Sequence, residues 1–131
     1  MKERDFYRAV DKRLPDTIHK QSMTGAAMTT NGTPDRYYDD SGGDLWVEYK
    51  ILKHFPKSGI VIGAFTPIQL HWMERRYKNS KPKPNIVGIV GLPDRTAVIQ
   101  LTPKEWREGS RVETAVSLDE VAAWIRDFCS S

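Results

Sequence analysis

Apolar and polar positions divide the chain into short helical and extended segments. Phe6, Val10 and Leu14 recur at helical spacing with Tyr7 beside them, which predicts an amphipathic helix over residues 2–14, stopped by Pro15. Residues 17–32, rich in Thr, Ser and Gly, read as an irregular strand or loop, with a turn signal at Asn31-Gly32 and an extended Thr33 before Pro34. Asp35 to Tyr38 is aromatic-rich, and Leu45 to Ile51 alternates. The polar stretch Asp39 to Asp44 between them predicts a β-hairpin. Its second strand places Leu45, Val47, Tyr49 and Ile51 on one face, the expected core face, and Trp46, Glu48, Lys50 and Leu52 on the other.

A connector with Pro56 and Gly59 leads through Ile60-Val61-Ile62 to a helix expected from Thr66 to about Lys78. Thr66 is its N-cap, Pro67 its first residue, and Leu70, Met73 and Tyr77 its apolar stripe. Ile86 to Leu92 is almost continuously apolar, the mark of a central strand buried on both faces. A turn at Pro93-Asp94-Arg95 precedes a strand from Thr96 to Leu101 and a helical turn from Thr102 to Trp106. Arg111 to Val116 reads as extended. A closing helix from about Leu118 to Phe128 carries a capping-box pair, Ser117 and Glu120. This order predicts an α/β chain, a mixed sheet covered by helices.

Composition narrows the class. The 131 residues suit a single domain, residues 1–131, with 28% charged and 39% hydrophobic residues. A net charge of +3 permits a nucleic-acid partner without requiring one. The single cysteine, Cys129, and the charged start MKERDFYRAV fit an intracellular protein, and no run approaches the roughly 18 apolar residues of a membrane span.

Candidate chemistry centres on the hairpin. Symmetry about Ser41 and Gly42 sets Tyr38 opposite Leu45 and Asp35 opposite Glu48. Opposed Cβ atoms lie roughly 5 Å apart, so the two carboxylates repel unless a proton, a cation or a salt bridge compensates them. Lys50 leaves the same face as Glu48. Two acids and a lysine on one face suggest a metal-dependent phosphodiesterase; the E-x-K triplet alone reads as a cross-strand salt bridge on a solvated face, and its place opposite an aspartate across the turn favours the site. Glu3, in the first turn of the first helix, is either an acid favoured by the helix dipole or an additional acid of the site. Gln69 stands three residues after Thr66, the capping-box spacing, or else supports catalysis. The basic run Arg75, Arg76, Lys78, Lys81 and Lys83 is solvated surface or a phosphate-contacting segment, and the same choice holds for His19 and Lys20. No glycine-rich phosphate loop is present, His19, His54 and His71 lack zinc-ligand spacing, and Cys129 lies close to the last position of the sequence.

Gly32-Thr33-Pro34-Asp35, the turn, and then Trp46-Val47-Glu48-Tyr49-Lys50 resemble the signature of the PD-(D/E)xK nuclease superfamily, most closely its small VRR-NUC-like and phage-encoded branches. Glu3 on the first helix, Gln69 followed by Trp72, and the apolar strand at 86–92 follow in the order of that pattern. The resemblance spans about residues 3–101. It implies a restriction-endonuclease-like αβββαβ core, here followed by a C-terminal helix, binding one or two divalent metals, Mg²⁺ or Mn²⁺. By the family pattern Asp35, Glu48 and the Tyr49 carbonyl are metal ligands, Lys50 orients the attacking water, and Gln69 and Glu3 assist.

The expectation is therefore an Mg²⁺-dependent endonuclease acting on double-stranded DNA as a homo-oligomer, since one active site cuts one strand. Of the family's small members, a site-specific, phage-type homing enzyme acting inside the host cell fits a chain without a separate DNA-binding or motor domain. A Holliday-junction resolvase is the nearest alternative, and a non-catalytic nucleic-acid-binding module the alternative of another class.

Overall fold

A computed structural model describes residues 2–23 and 32–130. Helix α1 (Glu3–Asp11) is followed by strands β1 (His19–Ser22), β2 (Arg36–Asp40), β3 (Gly43–Ile51) and β4 (Ile60–Val61). Helix α2 (Pro67–Asn79), strands β5 (Ile86–Gly91) and β6 (Ala97–Gln100), helix α3 (Pro103–Glu108), strand β7 (Ser110–Arg111) and helix α4 (Leu118–Ser130) complete the order. Five strands form one mixed sheet in the order β1-β2-β3-β5-β6, antiparallel except where β3 runs parallel to β5; β4 and β7 make a separate pair. Joining β3 to a parallel neighbour requires a crossover, which β4 and α2 supply. The expected α/β fold, with its αβββαβ core and C-terminal helix, is present.

The core has two layers, one on each face of the sheet. Phe6 and Val10 of α1 and Val121 and Ile125 of α4 cover Leu45, Val47, Tyr49 and Ile89. On the opposite face Met73 of α2, Trp106 of α3 and Phe65 pack on Ile86, Val90 and Val98, with Trp46 and Leu52 against them. The Trp46 face of β3 is thus also core, where alternation predicted only the Leu45 face. β5 is buried along its whole length because it lies between β3 and β6 under both layers.

Local signals explain the element ends. Thr66 and Gln69 close a reciprocal capping box at the start of α2, and Ser117 with Glu120 does so before α4. Other boundaries differ from those expected. The hairpin turn contracts to Ser41-Gly42, because Asp39 and Asp40 pair with Asp44 and Gly43. The Gly42 N–H donates to the Cys129 carbonyl at 2.9 Å, which docks the turn on the end of α4. The first helix ends at Asp11 and closes in turns to Leu14. Residues 19–22 form an edge strand, and residues 24–31 of the irregular strand or loop predicted over 17–32, with Asn31 of the turn signal, lie outside the described residues. The turn expected at Thr102 to Trp106 extends to Glu108. Arg111 to Val116 is not one continuous strand: Ser110-Arg111 pairs with Val61 and Ile60, a 3₁₀ turn follows at Val112–Thr114, and Val116 makes a single antiparallel bridge to Ala97. Among the described residues no helix is long and apolar enough to cross a membrane.

Candidate functional site

The hairpin register is the one that symmetry predicts. Tyr38 pairs with Leu45 and Arg36 with Val47, so the next step of the ladder brings Asp35 opposite Glu48. Asp35 lies just before β2 and is held at two points: its carbonyl accepts from the Met23 N–H at 2.9 Å, and its Oδ2 from the Tyr49 N–H at 3.4 Å. A residue's N–H and C=O leave the same edge of an antiparallel strand, so the Tyr49 carbonyl also faces Asp35.

Glu48 is 1% exposed, and among the described residues neither carboxylate oxygen meets hydrogen-bond geometry with a partner, although the Asp35 carboxylate lies near enough to share a proton with it. A long-range contact causes this burial. Glu48 pairs in register with Gly88 of β5, and a Cβ at Gly88 would lie 2.6 Å from the ring of Phe65. Phe65 therefore fills the place beside Glu48 that a side chain at 88 would take. An ionised carboxylate so enclosed is costly. Burial, then the neighbouring Asp35 carboxylate, raise the Glu48 carboxyl far above its ordinary 4.5, Glu3 adding to them and Lys50 opposing. Glu3, exposed at the start of α1, is raised as well, by partial desolvation and then Asp35, again against Lys50. Glu3, Asp35, Glu48 and Lys50 thus share one electrostatic environment.

These donors suit a hard divalent cation. Two carboxylates and a backbone carbonyl are all oxygen, and the orphaned oxygens of Glu48 need a positive partner. Among the described residues no three His, Cys, Asp or Glu side chains are gathered to hold an ion by themselves. A hard divalent cation held by so few oxygen donors would have coordination positions left for water.

The structure treats the other sequence candidates unequally. The Gln69 Oε1 accepts from the Thr66 N–H at 2.9 Å, so the capping arrangement is present. Gly32 packs directly against this helix start: its φ is +87°, and a Cβ there would lie 2.6 Å from the Ile68 carbonyl. Of the basic residues, Arg75, Lys78, Lys81 and His19 are exposed. Arg76 lies over the Trp46 ring, 5.8 Å from its centroid, and donates to Asn85. The Lys83 ammonium lies 4.1 Å from the Phe128 centroid. Lys20 donates to the carbonyls of Pro15 and Ile18. Packing thus engages Arg76, Lys83 and Lys20.

Sequence reasoning missed two contributors. Phe65 carries no motif, and only the tertiary contact with Gly88 reveals its part. Beneath the site, the Tyr38 hydroxyl lies 2.8 Å from both Asp11 and the Tyr49 hydroxyl, and Arg36 pairs with Asp11 at 2.5 Å. Tyrosines on adjoining strands of the hairpin were visible in the sequence, but not the acid from α1 that joins them.

No protein-family model and no curated protein sequence matches the chain. Its fold is similar to that of Hjc from Archaeoglobus fulgidus, a Holliday junction resolvase from an archaeal hyperthermophile, with a TM-score of 0.53 and 18% identity. The likeness covers 94% of this chain and 97% of that one.

Proposed function

We propose that this chain is a divalent-metal-dependent endonuclease that hydrolyses phosphodiester bonds in branched duplex DNA, four-way junctions foremost. One observation carries the reading: a buried Glu48 whose oxygens meet no donor among the described residues, opposite the Asp35 carboxylate and on the same strand face as Lys50. A buried acid without a partner is a liability to a fold unless a ligand completes it. Asp35, Glu48 and the Tyr49 carbonyl would hold the ion, Mg²⁺ or Mn²⁺. When bound, the ion supplies Lewis-acid polarisation of a phosphoryl oxygen and a more acidic water.

The protein's own groups do the rest. The Lys50 ammonium donates to the attacking water and to the phosphoryl oxygens as negative charge grows on them. Water oxygen bonds to phosphorus as the P–O ester bond breaks, the water proton passes to solvent, and the departing sugar oxygen takes a proton from solvent to leave as a hydroxyl. Phe65 keeps bulk water from Glu48, which strengthens every electrostatic interaction there. Glu3 adds a further acid beside Asp35, and Gln69 contributes by fixing the start of α2.

The preference for branched DNA draws on the resemblance of almost the entire chain to a junction resolvase, and it replaces the site-specific homing activity expected from sequence. Cutting a junction symmetrically takes two sites, so the active species is a homodimer. The test is incubation of a labelled four-way junction, a linear duplex of matching sequence and supercoiled plasmid with Mg²⁺, Mn²⁺ or EDTA. Metal-dependent cutting of the junction that Lys50→Ala abolishes is expected. Discrete fragments from long duplex would restore the homing reading, and tight binding with no cutting of any substrate would leave a binding module.

A further inference from the structure

We infer that the outer face of α1 and the β5–β6 turn form a phosphate-backbone track for duplex DNA leading away from the site, through Arg8, Lys12 and Arg95. The inference rests on the nuclease reading above but names residues that no motif marked. Arg8 and Lys12 stand one helical turn apart at the end of α1, Arg95 is far from them in sequence, and the fold brings all three to one open groove of about 560 Å³ lined by Asp5, Arg8, Ala9, Lys12, Arg13 and Arg95. Four of its six lining residues are cations. Arg13 is committed elsewhere, to Asp119 and the Ala9 carbonyl. Arg8, Lys12 and Arg95 have no ion-pair partner among the described residues.

Two features aim this charge at a polyanion that also enters the active site. A second, smaller groove lined by Ile51, Leu52, Lys53, Leu92, Pro93 and Arg95 begins one residue after Lys50 and shares Arg95 with the first. A strand of phosphates can therefore run from Lys50 past Lys53 and Arg95 to Arg8 and Lys12. The backbone at Arg95 is also unusual. Its φ is +69°, a region that a residue with a Cβ occupies at a cost, and the Asp94 carboxylate just before it is turned onto Thr96. The turn thus presents a guanidinium with no acid paired to it, where glycine would fit more easily. A line of unpaired cations without base-reading groups positions a backbone without reading sequence, as recognition by DNA shape requires.

The track is tested in EDTA, where cleavage does not complicate binding, by fluorescence anisotropy of a labelled four-way junction across a salt series. The triple variant Arg8→Ala, Lys12→Ala, Arg95→Gly leaves the core untouched, and glycine suits the backbone at 95. A parallel variant, Arg75→Ala, Lys78→Ala, Lys81→Ala, removes equal charge elsewhere. Loss of three phosphate contacts reduces the slope of log K against log salt by about 2.7. The track variant is expected to show that reduction, and to weaken binding at least tenfold more than the parallel variant. Equal effects of the two variants, or an unchanged slope in the track variant, would overturn the track while wild-type cleavage still stands. A wild-type protein that neither binds nor cuts DNA would overturn the nuclease reading and the track with it.

Discussion

Replacing Glu48 by Gln should make the metal-free protein more stable while removing its function. In the folded protein, burial and the neighbouring Asp35 keep the Glu48 carboxyl protonated well above neutral pH, whereas in the unfolded chain it ionises near its ordinary 4.5. The folded state therefore holds a proton that the unfolded state has released. Such a group stabilises fully below pH 4.5, and its contribution declines as pH rises, until the folded group itself ionises. At pH 7 the unfolded chain is about 2.5 pH units above that value, which costs the fold about 3 kcal/mol at roughly 1.36 kcal/mol per unit. The figure depends only on the folded group staying protonated at pH 7. Gln has the shape of the protonated acid and has no proton to lose. E48Q should thus melt about 10 °C above wild type at pH 7 in EDTA. Its advantage should vanish near pH 4.5 and widen toward pH 8. Excess Mn²⁺ should raise the melting temperature of wild type with release of a proton into weak buffer, and leave E48Q unmoved. Differential scanning fluorimetry from pH 4.5 to 8.5, with and without metal, reads both effects. An E48Q protein that melts at or below wild type throughout, with the same pH slope, would refute the argument that this buried acid is an uncompensated cost awaiting a cation.

Four further variants at three positions probe the supports of the site. Gly32→Ala forces a Cβ onto the Ile68 carbonyl at a positive φ and should cost about 3 kcal/mol in urea unfolding, with a loss of cleavage beyond the loss of folded protein. Gln69→Ala should cost about 1 kcal/mol through the lost cap, and Gln69→Glu, which retains the reciprocal bond to Thr66, should recover it. If cleavage collapses in Gln69→Glu at unchanged stability, the side-chain amide acts in the site and the capping account is incomplete. Tyr38→Phe leaves the buried Tyr49 hydroxyl without its partner and removes one bond from Asp11, a cost of about 2 kcal/mol by denaturant titration, with the metal response retained.

What the sequence determined by itself is what short-range physics encodes. Pairing about Ser41 and Gly42 follows from the placement of turn residues between two strands, so the approach of Asp35 to Glu48 is legible in the residue order alone. The two capping boxes and the buried central strand are legible for the same reason, since each depends on residues within a few positions or on an unbroken apolar run. Tertiary structure decided the rest. Alternation cannot say whether the second face of a strand meets solvent or a helix, and the arrival of α2 and Phe65 on the Trp46 face is what buries Glu48 and denies its oxygens a partner. The identities of the cations gave no hint that Arg76, Lys83 and Lys20 would be engaged by Trp46, Phe128 and nearby carbonyls. Nor could they place Arg95 beside Arg8 and Lys12. A charge's partner depends on which surfaces meet, and that is set by the packing of both layers on the sheet.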